Sequence, residues 1–147
     1  MVYSCGVSTT DQTPPPDTGK AARDRRRYDR VREQRAETAP PSILASTATD
    51  TIAAWIGEHH QAGDLIYPYG VYTQQRHPQA IPALVTKTMR GWADRGWLEE
   101  AGDERVGVLG HASRRYYEIT DLGHTHFVAA AVKLRYLARQ LDPAEDA

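Results

Sequence analysis

Large apolar residues are distributed unevenly along the 147-residue chain. They are sparse from Met1 to Lys20, where Pro14-Pro15-Pro16 also interrupts any regular element, so this stretch has too little apolar surface to drive folding. Lys20 to Glu37 consists mostly of good helix formers, but only Tyr28 and Val31 offer an apolar contact. A helix there has no core-facing stripe and is marginal in water on its own. Ala39-Pro40-Pro41 breaks it and marks a linker.

A periodic pattern begins near Ser46. Ile52, Trp55, Ile56 and His59 recur at helical spacing, with Thr47 or Thr49 as cap and Gly63-Asp64 as stop. Leu65-Ile66-Tyr67 is either a very short strand or an apolar connector. Pro68 and Gly70 lead into a short helix near Val71 to Arg76, which His77-Pro78 ends. A third helix of the domain runs from Pro82 to Arg95, with proline in a favoured first position. Its apolar stripe is Val85, Met89 and Trp92, and Thr86, Lys87 and Arg90 fall on the opposite side. Gly96 stops it. Trp97 and Leu98 open a strand, Asp103 to Ser113 form a loop, and Arg115 to Ile119 alternate as a second strand. Thr120 or Asp121 then caps a last helix. In it Phe127, Ala130, Leu134, Leu137 and Leu141 repeat at spacings of 3, 4, 3 and 4, a short heptad-like seam.

Helix, strand, loop and strand after two shorter helices is the layout of a winged helix-turn-helix. The expected fold is mainly α with a small two- to three-stranded antiparallel wing, followed by a C-terminal dimerisation helix. The expected divisions are a disordered, basic N-terminal arm and linker over residues 1–45, the winged domain over 46–120, and the dimerisation helix with an acidic tail over 121–147.

Charge adds a direction to this picture. The chain as a whole has a formal net charge of −1, but Met1 to Arg35 carries eight basic and five acidic side chains. Phosphate neutralisation with counterion release suits such an arm, which either orders on DNA, lies along the minor groove, or stays a solvated tail. The lone Cys5 makes neither an intramolecular disulfide nor a structural zinc site. With no membrane-length apolar run and no secretory leader pattern, the expected location is the cytoplasm. The pairs His59-His60 and His124-x-His126 lack the spacing and neighbours of a metal site. No phosphate-cradling glycine loop or nucleophile elbow occurs, so neither enzyme activity nor a cofactor is expected.

B-DNA's major groove admits one helix whose exposed side chains reach base edges. In the third helix Arg90 suits guanine, Lys87 suits guanine or phosphate, and Thr86 and Thr88 suit phosphate or a thymine methyl. Gln74, Gln75 and Arg76 would face the DNA backbone, as would Arg114 and Arg115 from the wing and Arg25, Arg26, Arg27 and Arg30 from the arm. Each has a plainer alternative. Lys87 and Arg90 also fit a solvated helix face, and Arg114 and Arg115 also fit pairing with Glu99 and Glu100 across the strands. Trp55, Trp92, Trp97, Tyr116 and Tyr117 are most simply core and wing-packing residues, an aromatic ligand pocket being the other reading.

Two runs carry a family resemblance: Asp94-Arg95-Gly96-Trp97-Leu98-Glu99, and Arg114-Arg115-Tyr116-Tyr117-Glu118-Ile119-Thr120-Asp121-Leu122-Gly123. From about residue 80 to 141 the chain resembles the PadR family of bacterial winged-helix regulators, and parts of the second run recur in the MarR and ArsR families. The resemblance implies a homodimer joined through the helix after the wing. It also implies operator binding that represses transcription, sometimes relieved by a small-molecule effector. Base contacts would fall to Thr86, Lys87 and Arg90, and wing contacts to Arg114 and Arg115. The chain departs from the family at Pro68-Tyr69-Gly70-Val71-Tyr72, in its N-terminal extension, and in an acidic span from Gly96 to Thr120 with three basic and five acidic residues. Phosphate repels such a wing, which moves weight to the third helix and the arm. The other functions that fit are a winged-helix protein-interaction module and a phage or plasmid DNA-binding protein of replication or conjugation.

Overall fold

The structure is a computed structural model that describes residues 19–101 and 115–144. The chain divides into two compact units, Met1–Val31 and Arg32–Ala147. The first contributes most of α1 (Lys20–Thr38), where Lys20 Nζ meets the Asp24 carboxylate one turn on at 3.0 Å. The rest of α1 belongs to the second unit.

That second unit begins well before the expected start at Ser46. Pro40 and Pro41 do end α1, but Pro41 also opens α2 (Pro41–Ala45) in the position proline favours. Ser42 and Ile43 in α2 are buried. The Asp142 carboxylate accepts from the Ser42 backbone N–H at 2.8 Å and from its hydroxyl at 2.7 Å. Residues expected as linker are therefore tied into the fold.

The remaining elements are α3 (Ala48–His59), β1 (Leu65–Ile66), α4 (Pro68–Thr73), α5 (Pro82–Asp94), β2 (Leu98–Glu100), β3 (Tyr117–Ile119) and α6 (Asp121–Leu141). The architecture is mainly helical with a small three-stranded antiparallel sheet in the order β1-β3-β2, an arrangement compatible with a winged helix. Leu65 and Ile66 pair with Glu118 and Tyr117, which makes the short apolar stretch a strand. On the other side Leu98 faces Ile119 and Glu100 faces Tyr117. Gly63, at φ 92°, turns the chain into β1 and donates its N–H to the Ile119 carbonyl. The loop expected between β2 and β3 lies outside the described residues. Among the described residues no helix is long and apolar enough to cross a membrane.

The core lies between α3 and α6. Ile52, Ile56 and Phe127 are fully buried. A Cβ at Gly57 would overlap the Phe127 carbonyl, so the two backbones meet where only glycine fits. The Thr47 hydroxyl caps α3 by accepting from the Asp50 N–H at 3.0 Å. Thr120 caps α6 by accepting from the Gly123 N–H at 3.0 Å. The same hydroxyl lies 2.7 Å from the Gly96 carbonyl, to which it donates. A Cβ at Gly123 would run into the Trp97 carbonyl. The Thr-Asp-Leu-Gly run is thus a helix cap joined to a close backbone approach. Phe127 packs edge-on against Trp92 at 5.0 Å and against Trp97 at 6.0 Å, and His126 stacks on Trp97 at 4.1 Å.

Most of the expected dimer seam already has neighbours within the chain. Phe127 is core, and Ala130, Leu134 and Leu137 are half-buried toward Ser46 and Asp50 at the start of α3. Leu134 also borders Ile43, Thr51 and Trp55. Only Leu141 at the end of the repeat is exposed. A heptad-like repeat marks which side of a helix seeks apolar cover, and here α2 and α3 of the same chain provide it.

Candidate nucleic-acid interface

Of the residues expected to meet DNA, Gln74, Gln75 and Arg76 lie in the turn after α4, and Thr86, Lys87, Thr88 and Arg90 lie on α5. Tyr67 is the N-cap of α4 and Pro68 takes its first position, so the helix starts three residues before the expected Val71. It also ends early, with Gln74 as C-cap. Gln74, Gln75 and Arg76 therefore belong to the turn and not to a helix.

Gln75 is a correction. Its side chain is buried and its amide donates to the Val71 carbonyl at 3.2 Å, so it faces inward and not toward a DNA backbone. A polar side chain placed in a tight turn beside α4 finds a carbonyl of the helix's last turn closer than solvent, here one that also accepts from the Gln74 N–H. Gln74 and Arg76 are exposed. Both border a cavity of about 150 Å³ walled by Trp55, Glu58, His59 and Leu134, with no α5 residue around it.

α5 has the asymmetry that its spacing suggests. Pro82 occupies the first turn, and Gly96 beyond the C-terminus has φ 83°, the left-handed conformation that ends a helix cheaply only for glycine. Val85, Met89 and Trp92 are buried along one face. Lys87 and Arg90 are exposed, while Thr86 and Thr88 are half-buried at the margins. The two cations thus stand on the solvent side of a helix held by its opposite face.

Two side chains that the pattern of the chain did not single out shape the turn. His77 is buried, with Nδ1 accepting from the Gln79 N–H at 3.0 Å and Nε2 2.9 Å from the Ser46 carbonyl. The network calls for the neutral tautomer with its proton on Nε2, since Nδ1 must accept. Arg35 reaches in from the end of α1. One guanidinium nitrogen donates to the Tyr72 carbonyl at 2.8 Å, and the other to the Ala80 carbonyl at 3.0 Å and the His77 carbonyl at 3.4 Å. Its plane also lies over the Tyr72 ring at 4.8 Å. Burial draws the Arg35 pKa below its ordinary value while Tyr72 opposes the shift. In the sequence Arg35 is one of seven arginines in a basic arm. The signal that separates it is spacing: Tyr28, Val31 and Arg35 follow a 3, 4 step and share the one helix face with apolar residues.

The remaining candidates are dispersed. Arg115 Nε lies 3.4 Å from Glu100 Oε1, both side chains exposed, which is the cross-strand pairing weighed as the plainer alternative. Arg114 lies outside the described residues. Arg25, Arg26, Arg27 and Arg30 are exposed on the part of α1 that belongs to the first unit. The histidine pairs are engaged separately. His59 stacks on Trp55 at 4.8 Å, and His60 Nδ1 meets the Asp64 carboxylate at 3.1 Å. The Gln61 N–H, donating to Asp64 at 3.0 Å, holds that carboxyl below the ordinary range, with His60 and His124 adding to the effect and burial opposing it. Comparison with known proteins returned no match, whether to a family model, a curated protein or a solved structure.

Proposed function

We propose that the protein is a sequence-specific, double-stranded DNA-binding regulator, a winged helix-turn-helix that acts as a homodimer and represses transcription. The observation that carries this reading is α5, which buries Val85, Met89 and Trp92 and leaves Lys87 and Arg90 facing solvent after a short helix and a built turn. A helix anchored on one side and cationic on the other is what a major groove accepts. In this reading Arg90 pairs with a guanine, Lys87 reaches guanine or phosphate, and Thr86 and Thr88 contact the flanking backbone. Gln74 and Arg76 add phosphate contacts from the turn, and Arg25, Arg26, Arg27 and Arg30 add sequence-independent affinity.

The homodimer uses the outer side of α6, not the inner seam. Leu122, Val128, Val132 and Tyr136 are exposed there, Val132 by 53% and Tyr136 by 62%. Leu122, Thr125, Ala129, Val132 and Tyr136 step by 3, 4, 3 and 4, a second repeat around the helix, with Val128 beside it. Two copies crossing antiparallel place Ala129 of one against Val132 of the other, and Asp121 near Arg139, so small meets large and acid meets base. Two-fold pairing of this kind matches a roughly palindromic site.

A salt-titrated gel shift comparing the gene's own upstream region with random duplex tests the reading. Preference for the upstream region together with a steep salt dependence is expected. Equal, weak binding to both would refute it and favour a protein-binding role. Arg90→Ala should relax preference at one base position and cost about 1–3 kcal/mol there.

A further inference from the structure

Between α4 and α5 the backbone bonds are all local to one side of the turn. Gln74 and Gln75 donate to Val71 and Tyr72, whereas Ala80 and Ile81 donate to His77 and Gln79. The side chains of Gln75 and His77 follow the same division, the first bonding back to Val71 and the second forward to Gln79. Among the described residues no backbone hydrogen bond joins the end of α4 to the start of α5. The Arg35 guanidinium does join them. It holds the Tyr72 carbonyl on the α4 side and the His77 and Ala80 carbonyls on the α5 side, in one rigid plane.

We propose that Arg35 is a positioning residue for DNA recognition: its guanidinium fixes the spacing and angle between α4 and α5, and so the aim of the exposed face of α5. The proposal rests on the DNA-binding reading above and gives that site its geometric control. Apolar burial between the two helices, through Val71, Tyr72, Val85 and Met89, is non-directional and tolerates a small rotation. Charge-assisted bonds from a planar fork do not, because donor directions are set by the sp² nitrogens. Recognition of base edges is sensitive to displacements of a fraction of an ångström, so a loosened clamp costs discrimination before it costs folding. A lysine here keeps the charge and the stem but has one point of attachment where the fork has two.

The test uses the full chain, wild type against Arg35→Lys and Arg35→Ala. Three quantities are measured: the thermal midpoint, amide hydrogen exchange across residues 72–84 in the free protein, and affinity for two duplexes. One duplex is the site that the wild type selects from a randomised pool, the other a random sequence of equal length. Arg35→Lys is expected to unfold cooperatively close to wild type and to exchange faster across residues 72–84. Its preference for the selected site should fall by about tenfold, the size of one lost base contact, while affinity for random DNA stays within about twofold. Retained discrimination in Arg35→Lys, or unchanged exchange across the turn, overturns the proposal. Equal loss of affinity for both duplexes also overturns it, since that is the signature of a phosphate contact. If the wild type selects no site, the DNA-binding reading fails, and exchange across residues 72–84 still decides whether the clamp exists. Should Arg35→Ala fail to fold, Arg35→Lys carries the test alone.

Discussion

The helix pair α3–α6 and the α4–turn–α5 segment are built on opposite principles. The pair is held by area and close approach: Ile52, Ile56 and Phe127 are fully buried, and Gly57 admits the other backbone. The turn is held by directed polar bonds from Arg35 and His77 to a few carbonyls and one N–H. Burial is proportional to apolar area and tolerates exchange among similar side chains, so the pair supplies stability without fixing fine geometry. Directed bonds contribute less stability each but set angles. The recognition surface proposed for α5 would need the second kind of support, which the turn beside it has.

The contrast is sharpest at Phe127. Phe127→Ala should destabilise the chain by about 3–5 kcal/mol in urea unfolding, because it leaves a cavity under Trp92 and Trp97. A loss of less than about 1 kcal/mol, well below that range, would mean that the helix pair does not carry the stability assigned to it. Next in size is the separation of the two sides of α6. Val132→Glu with Tyr136→Glu should turn a dimer into a monomer in sedimentation while leaving the thermal midpoint nearly unchanged. Leu134→Glu with Leu137→Glu should instead lower the midpoint, because those residues face Ser46 and Asp50 of the same chain. If the second pair gave a clean, stable monomer, the assignment of inner and outer sides would be reversed.

Smaller effects probe single polar contacts. Thr47→Ala removes the cap of α3 and should cost about 1 kcal/mol of stability with no change in DNA preference. Smallest of all is Asp64→Asn. The Asp64 carboxyl has its folded pKa lowered, so its stabilisation is present above the unfolded carboxylate value and is lost as the pH falls through the folded one. The variant should therefore be slightly less stable than wild type at neutral pH, and the two unfolding curves should converge in acid below about pH 4. The group is largely exposed, so solvent screening keeps the difference small. Curves that stay parallel down to acid would remove Asp64 from the contacts that brace the entrance to β1.

Much of the fold was legible because it depends on local rules. The caps Thr47 and Thr120, the first-turn proline Pro82 and the stop at Gly96 each act within one helical turn. The stripe Val85, Met89 and Trp92 named the buried face of α5, and by subtraction the exposed one. Other features were hidden because they depend on distant residues. Ile43 looked like part of a proline-rich linker until Asp142 was seen to hold Ser42 beside it. Gln75 looked like a solvent-facing amide and is buried, and Arg35 looked like one more arm cation.

The amino-acid sequence alone determined where the longer helices α3, α5 and α6 lie and which side of each is apolar, because periodicity and capping are short-range physics. It also determined that positive charge gathers before the compact region and that acid follows it. Only the tertiary structure decided what each apolar side meets. The seam of α6 met α3 of its own chain, since a stripe specifies that cover is needed and not which surface supplies it. Only the tertiary structure, too, showed what Arg35 holds, because the carbonyls it joins become neighbours only when α4 and α5 have folded beside the end of α1.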